Sequence, residues 1–458
     1  MLSRHWRPAA AGLGSAPAPI APTASGPSAS IAGAAPSETL SSSPLRRVAF
    51  YFGLAFLFTE LTGLHELASF ALGFNVYLLY IVVPPALFCG LLTGTLQRTF
   101  RKRGPWYWLA FYAWMILATP FSSWRGGSLQ RVFDARVDLI VLVIVGGLAT
   151  NWKEARAVFY TIAAGAVVNL FTARIFMKAD EGRISVGLTG FDIENSNDLA
   201  AQLLLVLPFL LFLALGRRRN ILIRIGVAAS LAYGIKVILG TASRGALIGL
   251  AAIFLVCLLL GSLRQRVVML AAGVLIATAT LTFLPGQTLT RLATLFGEHD
   301  VEADESSASR MYLFQKSVQF TLQHPIFGVG PDQFSNYEGG TSVAAGKPGS
   351  WHATHCSWTQ VSSECGIPAL IFFVSGIGSA ILLVARVRRA ALERSRAEIA
   401  NACFCYLLGM AGFLVASTFL ADAYHYYVPA MIGLAVAMST AAGEEPGVTT
   451  AARESQPG

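Results

Sequence analysis

Long apolar runs recur along the chain, and they constrain its fold more than any other feature. The runs are about 17 to 25 residues long, the length that an α-helix needs to cross the hydrocarbon core of a bilayer. They are continuously apolar and do not alternate with polar residues, which excludes a transmembrane β-barrel. Only 13% of the 458 residues are charged and 54% are hydrophobic, whereas about a quarter of a soluble domain is charged. The sequence therefore predicts an all-α polytopic membrane protein.

About twelve transmembrane helices are predicted from length and apolarity. Their approximate limits are Val48–Leu64, Ala68–Leu96, Trp106–Phe121, Leu139–Thr150 with some upstream residues, Ala157–Phe176, Leu199–Leu215, Ile221–Leu239, Ala246–Leu260, Val267–Leu284, Ile367–Ala385, Ala400–Phe419 and Tyr426–Ala441. Nine spans thus lie in residues 45–284 and three in residues 367–442. A large helical loop, residues 285–366, separates the ninth span from the tenth. Residues 1–44 are rich in Ala, Pro, Ser and Gly and cannot bury a core, and residues 443–458 are polar, so both segments are predicted to be disordered.

Basic residues cluster in the short loops between the predicted spans. The net charge of +9 is therefore interpreted as topogenic and not as a sign of nucleic-acid binding. With twelve spans, the basic loops all fall on one face, which the positive-inside rule makes cytoplasmic. Both termini then lie in the cytoplasm, and the large loop lies outside.

Two of the six cysteines, Cys356 and Cys365, lie in the large loop. The other four fall in predicted spans, where a thiol behaves as a small hydrophobic group. Cys356 and Cys365 can either pair or remain free, since no cysteine-rich framework surrounds them.

Arg244 lies in the stretch TASRGALIGL, at the predicted outer end of a span. Ser243 or Thr241 can cap the helix that begins there. A cation at a helix N-terminus opposes the macrodipole, which favours anions at that end. A bound anion resolves this conflict, because the free N–H groups and the guanidinium then point at the same ligand. The alternative is an interfacial arginine whose charged end extends to the bilayer surface.

Arg310 opens a second candidate helix, predicted from Ser309 to Gln323. Apolar residues recur in it at helical spacing and predict an apolar face on the membrane surface or on top of the bundle: Met311, Phe314, Val318 and Leu322. Arg310 either binds an anion or pairs with the nearby Asp304 and Glu305. The helix is predicted to end at His324, because a proline follows.

Two histidines precede another predicted helix. Ser357 and Gln360 have the spacing of a capping box, so this helix is predicted to begin beside His355. A nearby positive helix end and nearby arginines favour the neutral imidazole, which is the form that a general base needs. His352 lies three residues earlier and competes for the role. A metal site is the alternative, although no third ligand has suitable spacing.

A weaker signal surrounds Arg183, in the stretch EGRISVGLTGFDIENSNDLAAQLLLVLPF. Asn197 and Asp198 are predicted to cap the following span. Arg183 is one of several cations predicted on the outer face, with Arg244, Arg310 and Lys347. Cations at a membrane surface fit a phosphate or diphosphate, and a lipid diphosphate is anionic at the interface and apolar below it.

Three stretches, TASRGALIGLAAIF, SRMYLFQKSVQFTLQHPIFGVGPDQF and HCSWTQVSSECGIPALIFF, together resemble the O-antigen ligase and O-antigen polymerase family of bacterial envelopes. The similarity extends from about Arg183 to Phe373. The resemblance implies an inverting, metal-independent glycosyltransferase that needs no cofactor and acts on the periplasmic side of the inner membrane. The implied partners are a polyprenyl-diphosphate-linked glycan donor, a lipid A core or glycan acceptor, and membrane lipids.

Residue roles follow from the resemblance position by position. It implies that Arg244 and Arg310 hold the diphosphate and that His355 assists the acceptor hydroxyl. Cys356 departs from the family pattern, which commonly has Asn there. The remaining candidate substrate-binding residues are Arg183, Asn197, His324 and His352.

Other functions stay open at this point. Ligases and polymerases share these motifs, so the chain can also be a polymerase of O-antigen or exopolysaccharide repeat units. A twelve-span transporter or flippase is the alternative from another class. Transporters frequently contain internal repeats and charged residues in their spans, but no repeat is evident here, and Glu60 and Lys236 lie near predicted span ends. A flippase or a non-catalytic assembly subunit is a further alternative, and either would tolerate loss of His355.

Overall fold

The computed structural model describes residues 43–180, 183–186, 195–216, 220–263, 265–267, 269–270, 273, 278 and 301–443. These residues are predominantly helical, so the all-α fold class is confirmed. The main helices are α1 (Pro44–Thr62), α2 (Leu64–Leu72), α3 (Leu78–Leu92), α4 (Thr95–Thr99), α5 (Arg103–Ala118), α6 (Arg125–Asp134), α7 (Arg136–Gly146), α8 (Trp152–Ile175), α9 (Ser196–Val206), α10 (Pro208–Leu215), α11 (Ile221–Gly240), α12 (Arg244–Leu260), α13 (Val301–Gln323), α14 (Phe334–Ala344), α15 (Ser357–Glu393), α16 (Ala397–Ala416) and α17 (Tyr427–Gly443). Between α8 and α9, β1 (Met177–Asp180) and β2 (Arg183–Val186) form an antiparallel hairpin. The two predicted disordered ends lie almost wholly outside the described residues.

Five helical stretches among the described residues are long and apolar enough to cross a membrane. They are α8, α9 with α10, α11, α15, and α16 extended to Phe419. Helices α1 and α2 together are also long and apolar enough, although they bend by 70° at the break between them. Counting this pair as one span gives up to six candidate spans among the described residues. Helices α3, α12 and α17 are apolar but shorter. Most of the predicted ninth span lies outside the described residues, so the count of twelve and the side on which the large loop lies stay predictions.

The second predicted span, Ala68–Leu96, is wrong as a single helix. Helix α2 ends because Gly73 adopts a left-handed backbone with φ 73°, and α3 starts only after Tyr77, which is also left-handed. Gly63, at φ 59°, likewise ends α1. Left-handed residues terminate helices whatever the hydropathy of their neighbours. A continuous apolar run therefore hides these breaks.

Large apolar side chains cover much of the outside of the bundle. Helix α1 packs on α3, α5 on α15, α7 on α17, and α12 on α16. Outside these contacts, Ile221, Leu222, Leu255 and Leu259 each expose more than half of their surface. Such surface is a liability in water, but it is the natural surface of a bundle that faces lipid.

Arg46, near the start of α1, is part of the packed bundle. Its Nη2 lies 2.7 Å from Glu154 Oε2, and its side chain is almost fully buried. A buried cation must have such a partner, because losing the hydration of an unpaired charge costs several kcal/mol. Arg46 therefore ties the start of α1 to the start of α8.

Helix α15 has two parts that meet at Gly366, where φ is 85° and ψ is 173°. The first part, Ser357–Cys365, is polar, and the apolar part begins at Ile367, the predicted start of the tenth span. Helices α13 and α14 pack against α15, and α13 begins at Val301, earlier than predicted. The first part of α15, together with α13 and α14, forms the end of the bundle that carries the candidate site.

Candidate functional site

The N-terminus of α12 presents Arg244. Ser243 caps the helix, because its side chain accepts a hydrogen bond from the N–H of Ala246. Thr241 instead belongs to the end of α11, where its hydroxyl donates to the Ile238 carbonyl. A Cβ placed on Gly245 would lie 2.9 Å from Phe419 Cβ. The helix end that carries Arg244 is therefore packed directly on the short turn after α16.

Arg310 lies on α13, near the start of that helix's packed face. Leu313, Ser317 and Phe320 are buried on this face. Burial lowers the pKa of the Arg310 guanidinium, and the nearby charge of Arg244 lowers it further. The structure thus brings two arginines that are 66 positions apart in sequence within electrostatic reach of each other.

His355 precedes α15 in a strained backbone conformation, with φ 51°. Burial lowers the pKa of its imidazole, and the charges of Arg310 and His352 lower it further. The neutral form is therefore favoured, as expected from the sequence. Left-handed backbone in a residue other than glycine costs about 1–3 kcal/mol and persists only where the surroundings impose it.

The predicted capping box at the start of α15 is wrong. The N-cap is Cys356, which makes no capping hydrogen bond through its side chain. Ser357 Oγ instead donates to the Leu420 carbonyl at 2.8 Å and accepts from the Asp422 N–H at 2.9 Å. Gln360 Oε1 accepts from the Ala423 N–H at 3.2 Å. Both side chains are thus used to hold the segment after α16 against the helix that His355 precedes.

These contacts connect the histidine to Arg244. The segment held by Ser357 and Gln360 directly follows Phe419, and Phe419 packs on Gly245. The start of α12 and the start of α15 are therefore fixed to the same short piece of chain. This link between the two helix starts runs entirely through described residues.

A glycine turn, Pro325–Gly330, joins α13 to α14 and packs on the break in α15. The N–H groups of Val329 and Gly330 donate to the carbonyls of Ser363 and Glu364, both at 2.9 Å. A Cβ on Gly328 would lie 2.2 Å from the Glu364 carbonyl carbon, and one on Gly366 would lie 2.1 Å from the Ile326 oxygen. Glycine is therefore required for this close approach of two backbones.

The buried Glu364 carboxyl group secures the same junction. It accepts hydrogen bonds from the Tyr424 hydroxyl at 2.6 Å, the Asp332 N–H at 3.0 Å and the Phe334 N–H at 3.3 Å. Cys365 Sγ also contacts the Tyr424 hydroxyl, and both Cys356 and Cys365 are free thiols. The possible disulfide between them is thus not formed.

Glu338, on α14, is a second buried carboxylate and joins three segments of the site. Its Oε1 accepts from the hydroxyls of Tyr312 and Ser342, both at 2.8 Å. Its Oε2 accepts from the N–H groups of Ser350 at 2.8 Å and Trp351 at 3.2 Å. Tyr312 follows Arg310 on α13, and Ser350 and Trp351 lead to His352 and His355. This four-donor arrangement, the Glu338 clamp, therefore fixes residues 350–355, the histidine loop, to the helix of Arg310. Sequence reasoning missed Glu338, which lies in a polar, glycine-rich stretch typical of a solvated loop.

The other predicted substrate-binding residues are placed in different ways. The charge of His352 acts on His355, so these two lie close together. His324 instead hydrogen-bonds through Nε2 to the Tyr337 hydroxyl at 3.0 Å and joins α13 to α14. Arg183 begins β2, and the next residue, Ile184, lies against Gly240, the last residue of α11. Its own side chain is outside the described part of the structure.

The prediction that Asn197 caps α9 is wrong. The N-cap is Asn195, whose extended backbone and side-chain oxygen suit that position, and it accepts from the N–H of Asn197. Asn197 is therefore the second residue of the helix. Within the described ranges, no three His, Cys, Asp or Glu side chains form a group that could hold a metal ion.

The fold and the site together define a multi-pass helical membrane protein that gathers arginines and a neutral histidine at one end of its bundle. Residues 229–374 match the family described as O-antigen ligase. The resemblance deduced from the motifs is thereby confirmed over this part of the chain, which contains Arg244, Arg310 and His355. Members of the family are membrane enzymes of the glycosyltransferase type. A search of curated proteins finds no match to the chain.

Proposed function

We propose that the chain is an inverting glycosyltransferase of the O-antigen ligase type, which transfers a glycan from a polyprenyl-diphosphate donor to a sugar hydroxyl without a metal ion. The observation that carries the proposal is the gathering of Arg244, Arg310 and His355 at one end of an apolar bundle. A lipid diphosphate matches this arrangement, because its head is anionic and its chain is apolar. A polymerase of the same family would use the same site with a different acceptor.

The two arginines act on the leaving group. As the bond between the anomeric carbon and the phosphate oxygen breaks, negative charge develops on the lipid diphosphate. Fixed guanidiniums near that position stabilise the charge more in the transition state than in the ground state. The helix N-terminus at Ser243 adds its own positive end to the charge of Arg244. The positive charge of Arg310, beside that of Arg244, makes the site favourable for a doubly charged head.

His355 acts on the acceptor. The acceptor oxygen forms the new bond to the anomeric carbon from the side opposite the diphosphate, and its proton passes to the imidazole. A base must be neutral to accept this proton, and burial together with the neighbouring cations keeps the pKa of His355 below its ordinary value. Inversion follows because attack and departure occur on opposite faces.

The proposal places this site in residues 285–366 and at adjoining span ends on the periplasmic side, with twelve spans and both termini in the cytoplasm. It is supported by the position of the basic loops in the sequence. The matched family supports a lipid-linked glycan and a lipid A core as the general classes of substrate.

The test supplies purified protein in lipid nanodiscs with a polyprenyl-diphosphate-linked glycan and two acceptors, lipid A core and a second lipid-linked repeat unit. Arg244→Ala and His355→Ala are each expected to lower the transfer rate by about 100-fold or more. Addition of EDTA is expected to leave the rate of the wild type unchanged. The acceptor that becomes glycosylated distinguishes a ligase from a polymerase.

A matched control is Arg386→Ala. Arg386 is an exposed arginine on α15, 20 residues beyond Gly366 and therefore about 30 Å from the site along the helix. Arg386→Ala removes the same type of side chain as Arg244→Ala and is expected to leave the transfer rate unchanged. Transfer at the wild-type rate by Arg244→Ala and His355→Ala would refute the proposed roles. Loss of transfer with EDTA that a divalent metal restores would refute the metal-free mechanism.

A further inference from the structure

A concavity of about 320 Å³ lies between the start of α6 and α14. It is lined by Ser123, Trp124, Asn336, Tyr337, Gly340 and Thr341. None of these six residues carries a charge, so this concavity is chemically unlike the cationic site around Arg244 and Arg310. Its lining combines an aromatic ring, an amide and hydroxyl groups.

Trp124 forms an aromatic wall that is fixed in place. Its side chain is 58% exposed. A Cβ on Gly127 would lie 2.6 Å from Trp124 Cε3, so the indole lies against the backbone of the following helix turn, where a larger residue would not fit. The indole N–H donates to no atom of the described residues. A rigid, exposed indole with an available donor is suited to stack on a ring that carries hydroxyl groups.

The polar groups on the opposite wall are also held in place. Asn336 Nδ2 donates to Gln333 Oε1 at 2.9 Å, which orients the amide. The Tyr337 hydroxyl is paired with His324, and Thr341 Oγ1 lies 2.7 Å from the Tyr337 carbonyl, to which it donates. Each hydroxyl oxygen keeps lone pairs that can accept from a ligand. Preorganised amide and hydroxyl groups reduce the entropy lost on binding a polar ligand.

The concavity is physically connected to the candidate site through α14. Gly339 lies on the other side of this helix, where a Cβ would be 2.2 Å from Trp351 Cδ2, and the neighbouring Glu338 holds the histidine loop. The N–H of Ser123 donates to the Val329 carbonyl in the glycine turn. A helix with its side chains is about 10–12 Å across. The concavity therefore lies roughly one to two sugar rings from the histidine loop.

We propose that this concavity is a glycan subsite that binds a neutral sugar ring by stacking on Trp124 and by hydrogen bonds to Asn336 and the neighbouring hydroxyls. The choice of a glycan as the ligand rests on the proposed function. The subsite holds a sugar of the growing or transferred chain that is remote from the bond being made. Its role is to retain and orient the glycan, while the arginines hold the diphosphate.

Direct binding tests the subsite without turnover. Saturation-transfer NMR on the full chain in nanodiscs uses the methyl glycosides of glucose, galactose, mannose and N-acetylglucosamine as probes. At least one is expected to give a signal with the wild type that is lost in Trp124→Ala and partly kept in Trp124→Phe. Trp106→Ala is the matched control, because Trp106 is 56% exposed and lies outside the concavity. Its variant is expected to give the wild-type signal.

In the transfer assay, Trp124→Ala is expected to raise KM for the glycan about tenfold, with a much smaller change in kcat. Absence of a Trp124-dependent signal with all four probes would overturn the inference. So would an unchanged KM combined with lower thermal stability in the membrane, which would identify Trp124 as an interfacial anchor. A Trp124-dependent signal without any transfer by the wild type would refute only the proposed function. Transfer by Trp124→Ala with the wild-type KM for the glycan would refute only the subsite.

Discussion

Two variants of Glu338 distinguish the loss of a hydrogen-bond acceptor from the loss of a negative charge in the Glu338 clamp. In Glu338→Ala, the N–H groups of Ser350 and Trp351 lose their acceptor, and the hydroxyl of Tyr312 loses its partner. In Glu338→Gln, the amide oxygen can still accept from the two N–H groups. The amide NH₂ can then donate to the hydroxyls, which rotate to accept. The alanine variant is therefore expected to be far more damaging than the glutamine variant.

The expected magnitudes follow from the contacts. A buried donor left without an acceptor costs about 1–3 kcal/mol. Two fully buried donors would cost about 2–6 kcal/mol. Because Ser350 is half-buried and Trp351 is exposed, Glu338→Ala is expected to cost the lower part of this range, about 2–4 kcal/mol. In Glu338→Gln the bonds become neutral instead of charge-assisted, which costs about 1 kcal/mol. The cost in Glu338→Ala exceeds the free energy that holds a loop in place, but it does not exceed the free energy of unfolding of a domain. The histidine loop is therefore expected to detach while the bundle stays folded.

Hydrogen exchange followed by mass spectrometry measures this detachment directly. Protection of the amides of Ser350 and Trp351 is expected to fall by roughly 30- to 1000-fold in Glu338→Ala and by less than about tenfold in Glu338→Gln. Although burial opposes ionisation, hydrogen bonds from Ser342, Tyr312, Ser350 and Trp351 lower the pKa of Glu338. The charge-assisted bonds of the clamp therefore hold at all pH values above its ordinary pKa of 4.5 and weaken to neutral bonds only as the pH falls through the lowered value. Equal exchange in both variants, or wild-type protection in Glu338→Ala, would refute this reasoning.

Two further predictions concern acidity and backbone conformation. Transfer is expected to decline as the pH falls through the lowered pKa of His355, and Arg310→Gln is expected to move this acidic limb to higher pH, which a pH–rate profile measures. Gly366→Ala is expected to lower thermal stability by about 2 kcal/mol or more, because φ is 85° and the new Cβ would meet the Ile326 carbonyl. In the control Gly378→Ala, on the same helix, nothing lies within 4 Å of the new Cβ, and no loss is expected. A profile that Arg310→Gln leaves unmoved, or equal melting of the two alanine variants, would contradict these predictions.

Hydropathy predicted where most described helices lie but not where they break. The apolar part of α15 begins at Ile367 as predicted, because a change from polar to apolar residues coincides with the backbone break at Gly366. The break between α2 and α3 was missed, because Tyr77 is left-handed for reasons that lie outside its own residue type. Span prediction counts apolar length and does not register left-handed backbone positions such as Gly73 and Tyr77.

The candidate site was predictable where a motif is local and not where it depends on distant contacts. Arg244 was found because a cation at a capped helix start is unusual in sequence. Glu338 was missed because three of its four donors are distant in sequence, 26 residues earlier and 12 and 13 residues later. Gln360 was assigned to a cap, but its acceptor oxygen serves the N–H of Ala423, 63 residues away. A polar side chain near a helix start has a local partner and a distant one available, and sequence alone shows only the local one.

Arg310 has two effects in the proposed mechanism, and pH separates them. Its charge helps to stabilise the departing diphosphate, and it also lowers the pKa of His355. Below the ordinary imidazole pKa of about 6.5, Arg310→Gln loses both effects, because more of the base becomes protonated. Well above that value His355 is neutral in either protein, so the remaining rate defect reports the leaving-group effect alone. The ratio of wild-type to variant rates is therefore expected to rise as the pH falls, and a ratio that is constant with pH would show that Arg310 does not act on the base.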